Sequence, residues 1–167
     1  VGTGAPTLVD VRDVGVAVVS GVEYVYVVVG NATGVDSEAG VWECAVSHDP
    51  SDGGFVAATH LTWRKVFSVE TSTDRPQSIC IHQAAANSAP RAYLGLFVNG
   101  TTATGTYTQS SGAVENYKKS HYRCLDLRAG SPTWADVSSA ANVNINTYGI
   151  DFKLHPHVIS LTGEPSL

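Results

Sequence analysis

The sequence predicts an all-β fold, and three observations carry the prediction. Apolar residues recur at the period of two that a half-buried strand requires, as in Val14-Gly15-Val16-Ala17-Val18 and Ile79-Cys80-Ile81. A four-part pattern of strands occurs twice, and such self-similarity marks a repeat architecture. No segment reads as a helix: Ser138 to Asn146 offers only Ala140 and Ala141 as good helix formers among Ser, Asn and β-branched residues.

The elements follow in order. A first strand at Val14–Val19 turns at Ser20-Gly21 into a second at Glu23–Val29, which runs into Gly30-Asn31. The third is Val41–Val46, containing Trp42-Glu43-Cys44, and the fourth is Leu61–Ser68, containing Thr62-Trp63. The pattern then restarts. Ser78–His82 is followed by Ala92–Val98 and the strong hairpin signal Asn99-Gly100. Next come His121–Leu127, with Tyr122-Arg123-Cys124, and Thr133–Ser138, with Thr133-Trp134. The repeat units are 8–70 and 76–140 within one domain of residues 1–167, and an extra strand is expected at 149–155. The long loops differ: Ser47 to His60 in the first unit, Thr101 to Ser120 in the second. Loops absorb length changes cheaply, whereas strand register does not.

Composition narrows the function classes. The chain has 167 residues, 43% of them hydrophobic and only 15% charged, which suits a globular domain with a real core. Net charge is −5 with ten Lys and Arg in all, so no basic patch exists to neutralise phosphates and no nucleic-acid partner is expected. No membrane span is expected, because the apolar run Val14 to Val29 is broken by Ser20, Gly21 and Glu23. The sequence contains no methionine, which leads us to expect a processed or excised piece of a longer precursor.

Units of about 70 residues with Thr-Trp opening the last strand and Ile-x-Ile-His in the next resemble blades of Asp-box (BNR-type) β-propellers. That group includes sialidase-like, xyloglucanase-like and sortilin-like propellers. The family's Ser-x-Asp-x-Gly-x-Thr-Trp box is spread out in this chain. Ser47-His48-Asp49 and Asp52-Gly53-Gly54 are separated from Thr62-Trp63 by an insertion, and Ser110-Ser111-Gly112 lacks the aspartate. The resemblance implies two propeller-like blade units plus one strand. Propellers carry roughly four to eight blades, so closure would need further copies or more chain. The rival architecture is a β-sandwich or jelly roll, which buries its inner faces without partners.

Residues able to carry chemistry are few. Cys44, Cys80 and Cys124 are an odd number, and strand geometry separates Cys80 from Cys124 by one intervening strand, beyond disulfide reach; they read as buried free thiols. With no Cys-x-x-Cys spacing, and with His82 and His155 recurring at one repeat position, no metal and no other cofactor is expected. A sialidase-like enzyme needs an arginine cluster with a Tyr/Glu pair. The arginines (Arg12, Arg64, Arg75, Arg91, Arg123 and Arg128) show no such grouping in sequence, and Glu115 and Tyr117 fall in the inserted loop. Asp49 and Asp52 read as turn residues. No catalytic residue is assigned.

Asn31-Ala32-Thr33 and Asn99-Gly100-Thr101 are N-glycosylation acceptors at matching hairpin tips, with Asn31 and Asn99 as the acceptor residues. The leading expectation is a non-enzymatic extracellular, secreted or virion-surface structural module. It bears glycans and assembles with copies of itself, as an oligomer or filament, or with neighbouring domains. The alternative is a carbohydrate-binding module stacking sugars on Trp42, Tyr107 and Tyr117, with Trp63 and Trp134 as further aromatics that more often fill cores. A fragment of a propeller glycosidase is the third reading.

Overall fold

The computed structural model describes residues 2–7, 10–30, 37–47, 51, 53–70, 74–85, 87–97, 104–108 and 114–137. The expected strand at 149–155 and the acceptors Asn31 and Asn99 lie outside these residues. The first unit comprises β1 (Val11–Val19), β2 (Val22–Val29), β3 (Gly40–Val46) and β4 (Leu61–Ser68), with a helical turn α1 (Ala57–His60) before β4. The second comprises β5 (Arg75–His82), β6 (Arg91–Phe97), β9 (His121–Cys124) and β10 (Trp134–Asp136). Each unit is an antiparallel four-stranded sheet in simple sequential order, β1-β2-β3-β4 and β5-β6-β9-β10. The all-β expectation holds.

Three details correct the sequence reading. The segment from Thr101 to Ser120 is not all loop: β7 (Thr104–Thr108) and β8 (Val114–Lys118) pair there as a hairpin. Its Thr, Tyr and Val content has strand propensity, although it lacks a long apolar run. The connection Ser47 to His60 contains α1, closed by the bonds from Thr59 and His60 backbone N–H to Val56 O. Finally, β9 stops at Cys124 rather than Leu127, because Asp126 Oδ1 accepts the backbone N–H groups of Arg128 and Ala129 and curls the chain into a turn.

The Ser20-Gly21 turn forms as expected. Both residues have positive φ (52° and 81°), the twist that lets a two-residue loop join β1 to β2. The outer edge of β4 is occupied by the N-terminal segment: Thr3 N–H donates to Leu61 O, and Trp63 N–H donates to Thr3 O.

The two sheets stack face to face, with β1 lying against β5. One core runs between them. Tyr24, Tyr26, Val28, Val41, Val66 and Phe67 of the first sheet meet Ile79, Leu94, Tyr122 and Cys124 of the second. Trp134 Nε1 donates to Val66 O at 2.8 Å, and its ring lies edge-on to Phe67 at 5.2 Å. The closest approach is Gly15 on Ile81: a Cβ at Gly15 would sit 2.4 Å from Ile81 Cγ1, so only hydrogen fits.

Side chains blunt the neighbouring edges of β1 and β5. Asp13 Oδ2 accepts Ile79 N–H while its Oδ1 accepts Val14 N–H. Gln83 both accepts from Val18 N–H and donates to Val18 O, and Asn87 Oδ1 accepts Ser20 N–H. Capping of this kind discourages edge-on pairing with another chain.

Candidate functional site

The most elaborate polar constellation in the described residues lies between the sheets. Register aligns Tyr26 on β2, Glu43 on β3 and Arg64 on β4, so all three share the inner face. Glu43 is 2% exposed, and a buried carboxylate persists only when it is paired. Arg64 supplies a fork, with Nε to Oε1 at 2.8 Å and Nη2 to Oε2 at 3.2 Å. Arg128, from the connection after β9, donates to Glu43 Oε1 from the other sheet and lays its guanidinium over the Tyr24 ring at 3.8 Å.

Arg64 also reaches across. Its Nη1 donates to Ala129 O at 2.8 Å and Gly130 O at 3.3 Å, and its Nη2 to Leu127 O at 2.7 Å. The arrangement therefore clips the 127–130 connection of the second unit to the inner face of the first.

The electrostatics keep the Tyr26 phenol and the Arg128 guanidinium protonated. Burial, reinforced by the Glu43 charge and by hydrogen bonding to that carboxylate, pushes the Tyr26 phenol far above its ordinary range. Burial alone would pull Arg128 down, but its hydrogen bond to Glu43 and that carboxylate's charge more than offset this and hold it up. The carboxylate is engaged by two guanidiniums and the phenol keeps its proton. The constellation is suited to fastening two sheets, since neither Glu43 nor Tyr26 is placed to exchange a proton with a ligand.

A second polar group gathers at the foot of the second sheet. Ser120 Oγ lies 2.8 Å from His121 Nδ1, and Asp136 is near enough to act on His121 electrostatically. Burial outweighs that aspartate and lowers the imidazole below its ordinary range. Ser120 is 1% exposed and His121 6%, so a substrate has no path to the serine oxygen in this conformation. Beside them Tyr122 Oη donates to Glu70 at 3.0 Å, and Lys119 Nζ bonds both Glu70 oxygens at 3.1 Å.

The sequence-predicted residues fall apart from one another. Trp42 lies on the outer face of the first sheet, its Nε1 donating to Glu38 O and its ring facing Lys65 Nζ at 5.7 Å. Lys65 in turn donates to Ser37 O, which leaves this ring engaged by protein. Tyr107 and Tyr117 belong to the β7–β8 hairpin, where register opposes them to Glu115 and Gly105. Cys44, Cys80 and Cys124 are buried thiols that form no disulfide, as read from sequence. Burial raises the thiols of Cys44, where Glu43 adds to it, and of Cys124, the opposite of what a nucleophile needs. Among the described residues no group of three or more His, Cys, Asp or Glu could hold a metal ion, and no helix is long and apolar enough to cross a membrane.

Glu43, Arg64 and Arg128 were not singled out by the sequence reading. The available signal was a charge on the apolar-facing phase of two strands that register opposes to one another. Comparisons with known protein families, with curated proteins and with solved structures find no match to this chain.

Proposed function

We propose that this chain is a non-enzymatic structural module of an extracellular or particle surface, which assembles with copies of itself or with neighbouring domains of the same kind. The observation that carries the reading is a row of valines on β1 turned away from the core: Val14 is 51% exposed, Val16 68% and Val18 49%. Contiguous exposed apolar surface of this kind marks an interaction site more often than a solvated face.

Two further observations support it. The polar constellations are engaged by protein groups, leaving the chain's investment in fastening rather than in turnover. The two acceptor motifs at Asn31 and Asn99 follow equivalent strands, β2 and β6, and suit a glycan-bearing exterior surface. The propeller-blade reading adds that stacked four-stranded units need neighbours on both faces.

Light scattering on the purified chain tests the assembly. The mass expected is a multiple of 17.5 kDa or an open polymer. A mass of 17.5 kDa throughout the micromolar range would overturn the reading. Intact mass before and after deglycosylation of secreted material tests the glycan component.

A further inference from the structure

A β-bulge extends the exposed valine row of β1. Val11 pairs with Val29 and Asp13 with Val28, so Arg12 is an extra residue between them. Plain alternation would set Val11 on the side of Asp13 and Gly15. The bulge sets it instead in line with Val14, Val16 and Val18, and it is 46% exposed. The four valines make one stripe on the outer face of the first sheet. Register places Val29, Val27, Val25 and Glu23 of β2 beside it, so the exposed carboxylate of Glu23 stands at the Val18 end.

A second copy has few ways to meet this stripe. Asp13, Gln83 and Asn87 cap the edge of β1, which leaves its face. Within the chain the sheets stack in the same sense. The row Ile81, Ala92, Cys124, Trp134 faces the first sheet, while its counterpart Val16, Val25, Cys44, Trp63 faces away from the second. Continuing that stack between copies would need the far side of the second sheet, where Ser78, Cys80, His82, Tyr93 and His121 are buried within the chain. The other exposed large apolar side chains among the described residues, Phe55, Val56 and Leu125, lie off the strands. Among the described residues, the surface of a second copy that matches the stripe in length and character is the same stripe.

We propose that the stripe packs face to face on the stripe of a second copy, antiparallel, about a two-fold axis at Val16. The proposal rests on the assembly reading above and names its geometry. Val16 meets Val16, and Val14 meets Val18 of the other copy. Charge selects the antiparallel sense. Parallel stripes would hold the two Glu23 carboxylates at one level, where they repel. Antiparallel stripes separate them and turn each toward the end of the other stripe where Arg12 lies. Arg12 spends Nε and Nη2 on Asp10, which leaves further N–H donors on its guanidinium. Such a contact is isologous and closes at two copies. A stripe one strand wide falls among small interfaces, under about 1,200 Å² in total, so the dimer is weak and reversible.

The test is cross-linking of introduced thiols with a short bismaleimide, suited to sheet faces about 10 Å apart, beside light scattering on the wild type. The native thiols are buried, so the introduced one reacts first. Val16→Cys should link to itself and give a covalent dimer with nothing larger. Val11→Cys, at the end of the stripe, should not link to itself. An equimolar mixture of Val14→Cys and Val18→Cys should link better than either alone. The wild-type mass should level off at twice 17.5 kDa. Self-linking of Val11→Cys as efficient as that of Val16→Cys would overturn the inference by revealing parallel stripes. A wild type that grows past the dimer, or that dimerises while Val16→Cys fails to link, would overturn the inference and leave the assembly reading standing. A monomeric wild type would overturn both.

Discussion

Trp63 and Trp134 occupy the same place in their units, each opposite a cysteine one strand away, yet they lie on opposite sides with respect to the core. Trp134 enters the core between the sheets and donates to Val66 O. Trp63 lies on the outer face with Cys44, beside the N-terminal segment, where a Cβ on Gly2 would be 3.2 Å from its Nε1. One sequence motif therefore serves two environments because the sheets stack in the same sense.

That difference should appear in stability. Trp134→Ala removes an aromatic from the core and is expected to cost about 3–5 kcal/mol in chemical denaturation. Trp63→Ala should cost clearly less at low protein concentration. Equal losses would indicate that the outer face is as enclosed as the inner one.

The Glu43 clip should behave as a unit. Glu43→Gln leaves two guanidiniums facing a neutral partner and is expected to destabilise by about 3–5 kcal/mol, the range for breaking a buried ion pair. A double-mutant cycle with Arg64→Met should reveal coupling of about 0.5–3 kcal/mol. Additive losses would place Glu43 and Arg64 outside a common network.

Gly15→Ala tests the contact between β1 and β5. The added methyl meets Ile81 at its Cγ1 rather than at a flexible tip, so overpacking should cost about 1–3 kcal/mol. Ile81→Ala in the same chain removes the Cγ1 atom that the new methyl meets, so adding Gly15→Ala to it should cost less than in the wild type. A neutral Gly15→Ala would mean that the sheets separate easily at this edge.

Acid should weaken the fold through His121. Its folded pKa lies below the ordinary value of 6.5, so the unfolded chain takes up the proton first. The stability contributed by the neutral imidazole is complete above that value and falls as pH drops from 6.5 toward the folded pKa. Urea midpoints measured from pH 7.5 down to 5 should decline, and His121→Gln should flatten the decline. An unchanged slope in the variant would assign the acid sensitivity to other groups.

Most strands were legible because period-two alternation survives in β1, β2 and β5, and because Ser20-Gly21 is turn chemistry that few other pairs supply. The hairpin of β7 and β8 was not, since its Thr- and Ser-rich surroundings read as loop and pairing partners are invisible to a local window. The end of β9 was overrun because Asp126 stops the strand through side-chain bonds rather than through a Gly or Pro. The Glu43 clip was hidden for a related reason. Glu43 and Arg64 sit on separate strands joined by a long connection, and Arg128 belongs to the other unit, so only register brings them together. The stacking sense of the sheets was equally inaccessible, as it depends on which side of each cysteine row is buried.

The central claim, that the folded chain associates through the valine face of its first sheet, is tested most directly by thermal unfolding at two protein concentrations a hundredfold apart. Association that requires the native state stabilises it by mass action. Wild-type Tm should therefore rise by several degrees with concentration, while Val16→Asp, altered at a position 68% exposed, should unfold at one temperature throughout. A wild-type Tm independent of concentration would contradict the account.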